Sequence, residues 1–399
     1  MLPREAHNGA WLLKDIGSAQ PLLGCHGCAD KPSCGGLHLP NGSAILTCMD
    51  HCKCGDATKC DMVCPNRPMI FARRFNEVRG FGLENIPRKA TPKLPMLPPI
   101  VTILEGQVAQ RRPVELEFAA IPLTRALTGR GRKTRAKTAA ELKRDHGVVA
   151  RAGWVLTGIE DDRYVERSWG LAGFRETFKA MRDAGAIFAT SPNYSLYLDS
   201  PRQDNLHAMK RIAWMWYSMN EAGLPTALHI NGRTDFDFER WADFIAARPE
   251  VTSIAFEFLT GAKLGLDAER YIARLEKLRA SVGRPLLIAV RGAAEYAHRL
   301  EKTFEQVLWL DATPYFKAMH RQEPVFGADE ILRYRPRQGN PEAPVGALFK
   351  RLVCAAERRY HSSSMTLTPS PQHVLDLRPS SLPRQMGTDN AADQLRLFP

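Results

Sequence analysis

Between residues 224 and 313 the chain reads LPTALHING (224–232), DFERWADFIAARP (237–249), TSIAFEFLTG (252–261), DAERYIARLEKLRASVG (267–283), RPLLIAVRG (284–292), AAEYAHRLEKTFEQ (293–306) and VLWLDAT (307–313). Short apolar runs of strand length alternate with longer stretches of helical period, and Gly283 stands where a helix stop belongs. Strands that alternate with helices predict a parallel sheet covered by helices. The pattern extends upstream. EFAAIPLT (117–124) and GWVLTGIE (153–160) read as strands, GLAGFRETFKAMRDAG (170–185) as a helix and AIFATSPNYSLYLD (186–199) as a strand and its loop. A further helix places Leu206, Met209, Ile212, Ala213 and Trp216 on one face and ends at Gly223. Six or seven such units over about 210 residues predict an α/β fold, a (β/α) TIM-like barrel that is complete or lacks a unit, with an open doubly wound sheet as the alternative. No GxGxxG follows a strand and no GxxxxGK[ST] is present, so no nucleotide cofactor is expected.

The flanks differ from this core. Residues 1–84 are rich in Cys, Gly and Asp and predict a small metal-binding module, because such a segment cannot bury enough apolar surface to fold unaided. The stretch 85–115 contains NIPRKATPKLPMLPPI and reads as a Pro-rich linker, leaving 116–335 for the barrel. Residues 336–360 read as a basic amphipathic helix. Residues 361–399, rich in Ser, Pro and Gln, read as a disordered tail.

With 44% hydrophobic residues the chain can bury a core, yet it has no apolar run long enough to cross a membrane. Its first residues, MLPREAHNGAWLLKDIGSAQ, lack the apolar stretch of a secretion signal. A cytoplasmic location without a membrane partner is therefore expected. Formal net charge is +12, which favours a polyanionic partner such as DNA. Part of that charge is concentrated in TRALTGRGRKTRAKTAAELKRDHG (124–147), where Arg130, Arg132, Lys133, Arg135 and Lys137 are the expected phosphate contacts.

Eight of the nine cysteines fall in one short stretch: Cys25, Cys28, Cys34, Cys48, Cys52, Cys54, Cys60 and Cys64. In a reducing compartment such a cluster binds metal rather than forming disulfides. One partition places Cys25, Cys28, Cys34 and Cys48 in one site and Cys52, Cys54, Cys60 and Cys64 in another, with His26, His38 and His51 as possible replacements. Either zinc or an iron–sulfur cluster accepts four thiolates at such spacings.

Catalytic groups of a barrel lie at the C-terminal ends of its strands. Polar residues collect at those positions here. Asp161, Asp199, Glu257 and Asp311 are the candidate acids or nucleophiles. Asn193, Ser195, Tyr197, His229, Asn231, Arg233 and Arg291 are the candidate substrate contacts. Each has a plainer reading: Asp161 as a turn, Asp199 as a helix cap, His229 as a core histidine, Glu257 and Arg291 as an ion pair.

Three resemblances add to this reading. The segment SPNYSLYLDSPRQDNLHAMKRIAWMWYSMNEAGLPTALHINGRTDFDFERW (191–241) resembles an uncharacterised group of barrel proteins from phages and mobile elements; the similarity covers about residues 150–315 and implies no known activity. Gln394, Leu395, Arg396, Leu397 and Phe398 resemble the bacterial sliding-clamp-binding peptide, which implies that Gln394, Leu395, Leu397 and Phe398 contact the clamp. Combining a barrel, catalytic aspartates and bound zinc is also similar to tRNA-guanine transglycosylases and their DNA-modifying deazaguanine relatives. The Cys cluster here is N-terminal rather than late in the barrel, and the Asp-Ser-Gly-Gly-Phe stretch of that family is absent. Together these features predict a DNA-associated metalloprotein of phage or mobile-element type, an enzyme that modifies or exchanges DNA bases and is recruited to the clamp. The alternatives are a non-enzymatic DNA and clamp adaptor with zinc ribbons, or an iron–sulfur redox or radical enzyme.

Overall fold

The computed structural model describes residues 74, 76–108, 112–129, 134–169, 174–196, 202–259, 265–329, 331–338 and 344–363. The eight cysteines from Cys25 to Cys64, the basic residues Arg130, Arg132 and Lys133, the candidates Tyr197 and Asp199, and the peptide residues Gln394, Leu395, Leu397 and Phe398 lie outside the described residues.

The first two strands are β1 (Ile100–Thr102) and β2 (Val114–Pro122). A small antiparallel pair, β3 (Leu127–Thr128) with β4 (Arg135–Ala136), and helix α1 (Ala139–His146) lead to β5 (Val148–Thr157). The chain continues through α2 (Asp162–Trp169), α3 (Phe174–Asp183), β6 (Ala186–Thr190), α4 (Arg202–Glu221), β7 (Thr226–His229), α5 (Asp235–Ala246) and β8 (Ser253–Glu257). It then adds α6 (Gly265–Val282), β9 (Leu287–Arg291), α7 (Ala297–Thr303) and β10 (Gln306–Asp311). Eight of these strands form one parallel sheet in the order β1-β10-β9-β8-β7-β6-β5-β2. Its two edges meet at a parallel bridge between Ile103 and Ala120, where the Leu104 N–H donates to the Ala120 carbonyl at 2.7 Å. The result is a nearly closed eight-stranded (β/α) barrel.

Strand alternation divides the apolar residues into two sets. Val155, Phe188, Ala227, Ala255, Ala289 and Leu308 meet inside the barrel. Their neighbours Leu156, Ala189, Leu228, Ile254, Val290 and Trp309 point outward and pack against the helices. The inner set mixes alanines with Phe188 and Leu308, so large and small side chains share a narrow space.

The helices start where local chemistry supports them. The Thr138 hydroxyl accepts the Glu141 N–H and the Glu141 carboxylate accepts the Thr138 N–H, which caps α1; Gly147 then closes it with a φ of 63°. Thr234 and Asp237 form the same reciprocal cap on α5.

Two boundaries differ from those expected. The stretch 85–115 contributes β1 and the first two residues of β2, so the barrel begins inside the expected linker. A three-residue strand directly after Pro98 and Pro99 shows no alternation to read. Before it, Val78, Phe81 and Ile86 are buried, and the Arg248 guanidinium donates to the carbonyls of Pro87 and Glu84 at 3.2 and 3.3 Å. After β10 come α8 (Thr313–Met319), the antiparallel pair β11 (Gln322–Phe326) and β12 (Leu332–Pro336), and α9 (Val345–Ser363). The basic helix α9 buries Leu348, Phe349 and Leu352, and its Tyr360 stacks on Trp309 of β10 at 5.0 Å. It touches β1 and β2, between which no helix occurs among the described residues, and so covers that side of the barrel. Among the described residues no helix is long and apolar enough to cross a membrane.

Candidate active site

Inward alternation ends, on five consecutive barrel strands, in polar residues: Thr157 on β5, Thr190 on β6, His229 on β7, Glu257 on β8 and Arg291 on β9. Thr190 is satisfied, since its hydroxyl accepts the Gly158 N–H at 2.8 Å. Among the described residues the other four each keep a buried polar atom without a hydrogen-bond partner: Thr157 Oγ1, His229 Nδ1, Glu257 Oε2 and Arg291 Nε. Buried polar atoms are nearly always paired, and each orphan costs about 1–3 kcal/mol. These four stand at one level of one barrel, so they face a common space.

Glu257 is 5% exposed. Its Oε1 accepts the Leu259 N–H at 2.8 Å, while Oε2 lies 4.0 Å from Arg291 Nε, beyond hydrogen-bond reach. Burial dominates over the nearby guanidinium and the N–H, and the carboxyl is pushed up to about 7. His229 is 1% exposed, and burial alone takes its imidazole down to about 3, so it is neutral at physiological pH. Its backbone N–H donates to Ser191 Oγ at 2.9 Å.

Asn193, Ser195, His229, Asn231, Glu257 and Tyr271 line a cavity of about 30 Å³, room for one or two waters. The loop after β6 is held over it. The Asn231 amide donates to Asn193 Oδ1 at 2.8 Å and to the Tyr194 carbonyl at 3.1 Å. The Ser195 hydroxyl donates to Asp162 at 2.6 Å, and Arg233 Nε donates to the Leu196 carbonyl at 2.7 Å. Gly158 permits the close approach of this loop, because a Cβ there would lie 2.1 Å from the Ser191 carbonyl oxygen.

A second charged group adjoins Arg291. Glu105, just beyond β1, lies between Arg291 and Arg125, with Arg125 Nη2 3.4 Å from its Oε2 and Arg291 Nη2 3.4 Å from its Oε1. Arg125 Nε is 3.6 Å from Glu160, which also accepts the Thr124 hydroxyl. Burial raises the Glu160 carboxyl above its ordinary value despite Arg125. After Arg291 the backbone passes through Gly292 (φ 85°) and Ala293 (φ 57°). A left-handed alanine is strained by about 1–2 kcal/mol, and such residues concentrate at functional sites.

Of the expected site residues, Asn193, Ser195, His229, Asn231, Arg233 and Glu257 surround one cavity, and Arg291 borders it. Asp311 does not join them. It follows Trp309 on the outward face of β10, accepts the Thr313 N–H at 2.7 Å and contacts Tyr360 in the helix layer. Asp161 is exposed and accepts the Arg163 N–H at 3.1 Å while pairing with that guanidinium at 3.2 Å, which makes it the turn before α2. Two of the expected phosphate contacts are matched within the chain: Arg135 pairs with Glu141 at 2.7 Å and Lys137 with Asp145 at 2.9 Å. Glu105, Arg125, Glu160 and Thr157 belong to the mouth although the sequence did not mark them as site residues. Inward alternation from Val155 through Thr157 was the available signal for Thr157. Glu105 was hidden in the presumed linker.

Among the described residues no three His, Cys, Asp or Glu side chains come together to hold a metal ion. Comparison with known protein families and with curated proteins returns no match to either.

Proposed function

We propose that the chain is an acid–base enzyme acting on DNA bases, by modification or exchange, with Glu257 as its proton-transfer group. The observation that carries this reading is the buried, unpaired Oε2 of Glu257 in the barrel mouth. A carboxyl group that titrates near neutrality is present in both forms there, so it can take a proton and return it. The adjoining cavity has room for a water, from which the carboxylate would take a proton. Neutral His229 and the amides of Asn193 and Asn231 would supply hydrogen bonds to a ring without adding charge. A net charge of +12 suits a polyanionic substrate. Duplex DNA would have to present its target base flipped out of the stack.

In this reading the cysteines from Cys25 to Cys64 bind zinc or an iron–sulfur cluster in an appended module, and the C-terminal peptide brings the enzyme to the sliding clamp. Mass spectrometry of nucleosides after incubation with DNA tests the reaction. Wild-type chain is expected to produce an altered nucleoside or a released base, and Glu257→Gln to reduce it by about 10²- to 10⁴-fold. DNA left unchanged by the wild-type chain would refute the substrate, and equal product from both would refute the role of Glu257. Deletion of residues 394–398 is expected to abolish clamp binding in a pull-down with purified clamp; retained binding would remove the clamp from the proposal.

A further inference from the structure

We propose that Arg125 and Arg291 form an anion subsite in the barrel mouth that takes a phosphoryl group. This deepens the reading of the mouth as a substrate site and rests on it. The two guanidinium groups reach different oxygens of one carboxylate, Glu105, Arg125 at Oε2 and Arg291 at Oε1, each at 3.4 Å. Their other acidic neighbours are no closer: Glu160 stands 3.6 Å from Arg125 and Glu257 stands 4.0 Å from Arg291. Elsewhere in the same chain arginines make tight forks. Arg211 holds Glu166 at 2.6 and 3.0 Å, and Arg299 holds Glu276 at 2.7 and 2.8 Å. The mouth arginines are thus loosely paired with acids; Arg125 Nη1 donates to the Glu105 backbone carbonyl, and among the described residues the buried Nε of each mouth arginine, like that of Arg211, has no hydrogen-bond partner.

Loose pairing matters because a guanidinium presents five donors in a rigid fork suited to bidentate oxyanions. Two forks joined by a single carboxylate leave donors for a tetrahedral group with several acceptor oxygens. The charge balance agrees. Burial favours the neutral forms of Glu160 and Glu257, which stand beside the same two guanidinium groups as Glu105. A phosphoryl group bound there would place the attached sugar or base next to Arg291, within reach of Glu257.

Calorimetric titration of the full chain at fixed ionic strength tests the subsite, with inorganic phosphate, a deoxynucleoside 5′-monophosphate and a short single-stranded oligonucleotide as probes. The wild-type chain is expected to bind all three. Arg125→Gln and Arg291→Gln are each expected to weaken binding at least tenfold, while Arg335→Gln on β12 leaves it unchanged. Should a Gln variant fail to fold, Arg125→Lys and Arg291→Lys carry the test: they keep the charge, lose the fork, and are expected to weaken binding severalfold. No binding of any probe, or equal binding by the arginine variants and the wild-type chain, would overturn the proposal. If the oligonucleotide binds more tightly than the monophosphate, with both dependent on the two arginines, the phosphoryl group comes from DNA. The reverse order keeps the subsite and makes a free nucleotide its source, which would refute DNA as the substrate alone. Glu257→Gln is expected to bind phosphate as the wild-type chain does, so loss of turnover and loss of the subsite are read separately.

Discussion

Glu257→Gln is expected to be more stable than the wild-type chain at pH 8 and to match it at pH 4. In the unfolded chain this carboxyl titrates near 4.5, and in the folded chain near 7. Between those values the folded state holds a proton that the unfolded state has released, so stability falls as pH rises and the loss is complete above about 7. The difference corresponds to about 3 kcal/mol. Glutamine has the same shape and no charge to bury, so it removes the penalty. His229 contributes with the opposite sign. Its imidazole titrates near 6.5 when unfolded and near 3 when folded. The unfolded state therefore gains a proton first as pH falls below 6.5, and stability is lost on the acid side. Between about 4.5 and 6.5 the two slopes oppose each other, and the site's contribution is nearly flat. Urea midpoints at pH 4, 5.5 and 8 measure this directly. A Glu257→Gln chain less stable than wild type at pH 8 would show that the carboxylate makes bonds that the observed geometry lacks.

Trp241→Ala is expected to lose about 4–8 kcal/mol of stability, the other large effect. The indole on α5 is fully buried and packs near Phe244 with ring centroids 6.1 Å apart. Truncating a buried tryptophan costs about 3–5 kcal/mol through lost transfer energy and the cavity left behind. The Trp241 Nε1–H also donates to the Asn231 carbonyl at 2.9 Å, and a buried carbonyl left unpaired adds about 1–3 kcal/mol. Trp241→Phe separates the two costs, because it keeps most of the ring and loses the bond. A urea midpoint shift in Trp241→Phe as large as in Trp241→Ala would place the stabilisation in the hydrogen bond. A negligible shift in both would contradict the packing described for α5.

The barrel was legible because its signal is repeated. Runs such as LPTALHING, TSIAFEFLTG and RPLLIAVRG are strands in the folded chain, and the helices between them lie close to where apolar spacing and Gly283 put them. The first strand was not legible: IVT after two prolines has neither the length nor the alternation to stand out, and Glu105 went unmarked with it. Site residues were legible to the extent that position along a strand sets direction. His229 and Glu257 end their strands facing inward, whereas Asp311 ends β10 facing outward beside Trp309. One residue of register separates a lined pocket from the helix layer, and sequence spacing located the strand end without its phase. Asp161 failed for a different reason. An aspartate before a helix is suited both to catalysis and to capping a turn, and only its exposure and its bonds to Arg163 decide between them.

The protonation state of Glu257 is the most direct test of the mouth as an acid–base site. Carbon-13 labelled glutamate, read by carboxyl chemical shift across pH 3 to 9 in the wild-type chain and in Glu257→Gln, isolates this one resonance by difference. A midpoint near 7 is expected. A midpoint at the ordinary 4.5 would mean that the carboxylate is solvated or firmly paired, and would contradict Glu257 as the proton-transfer group.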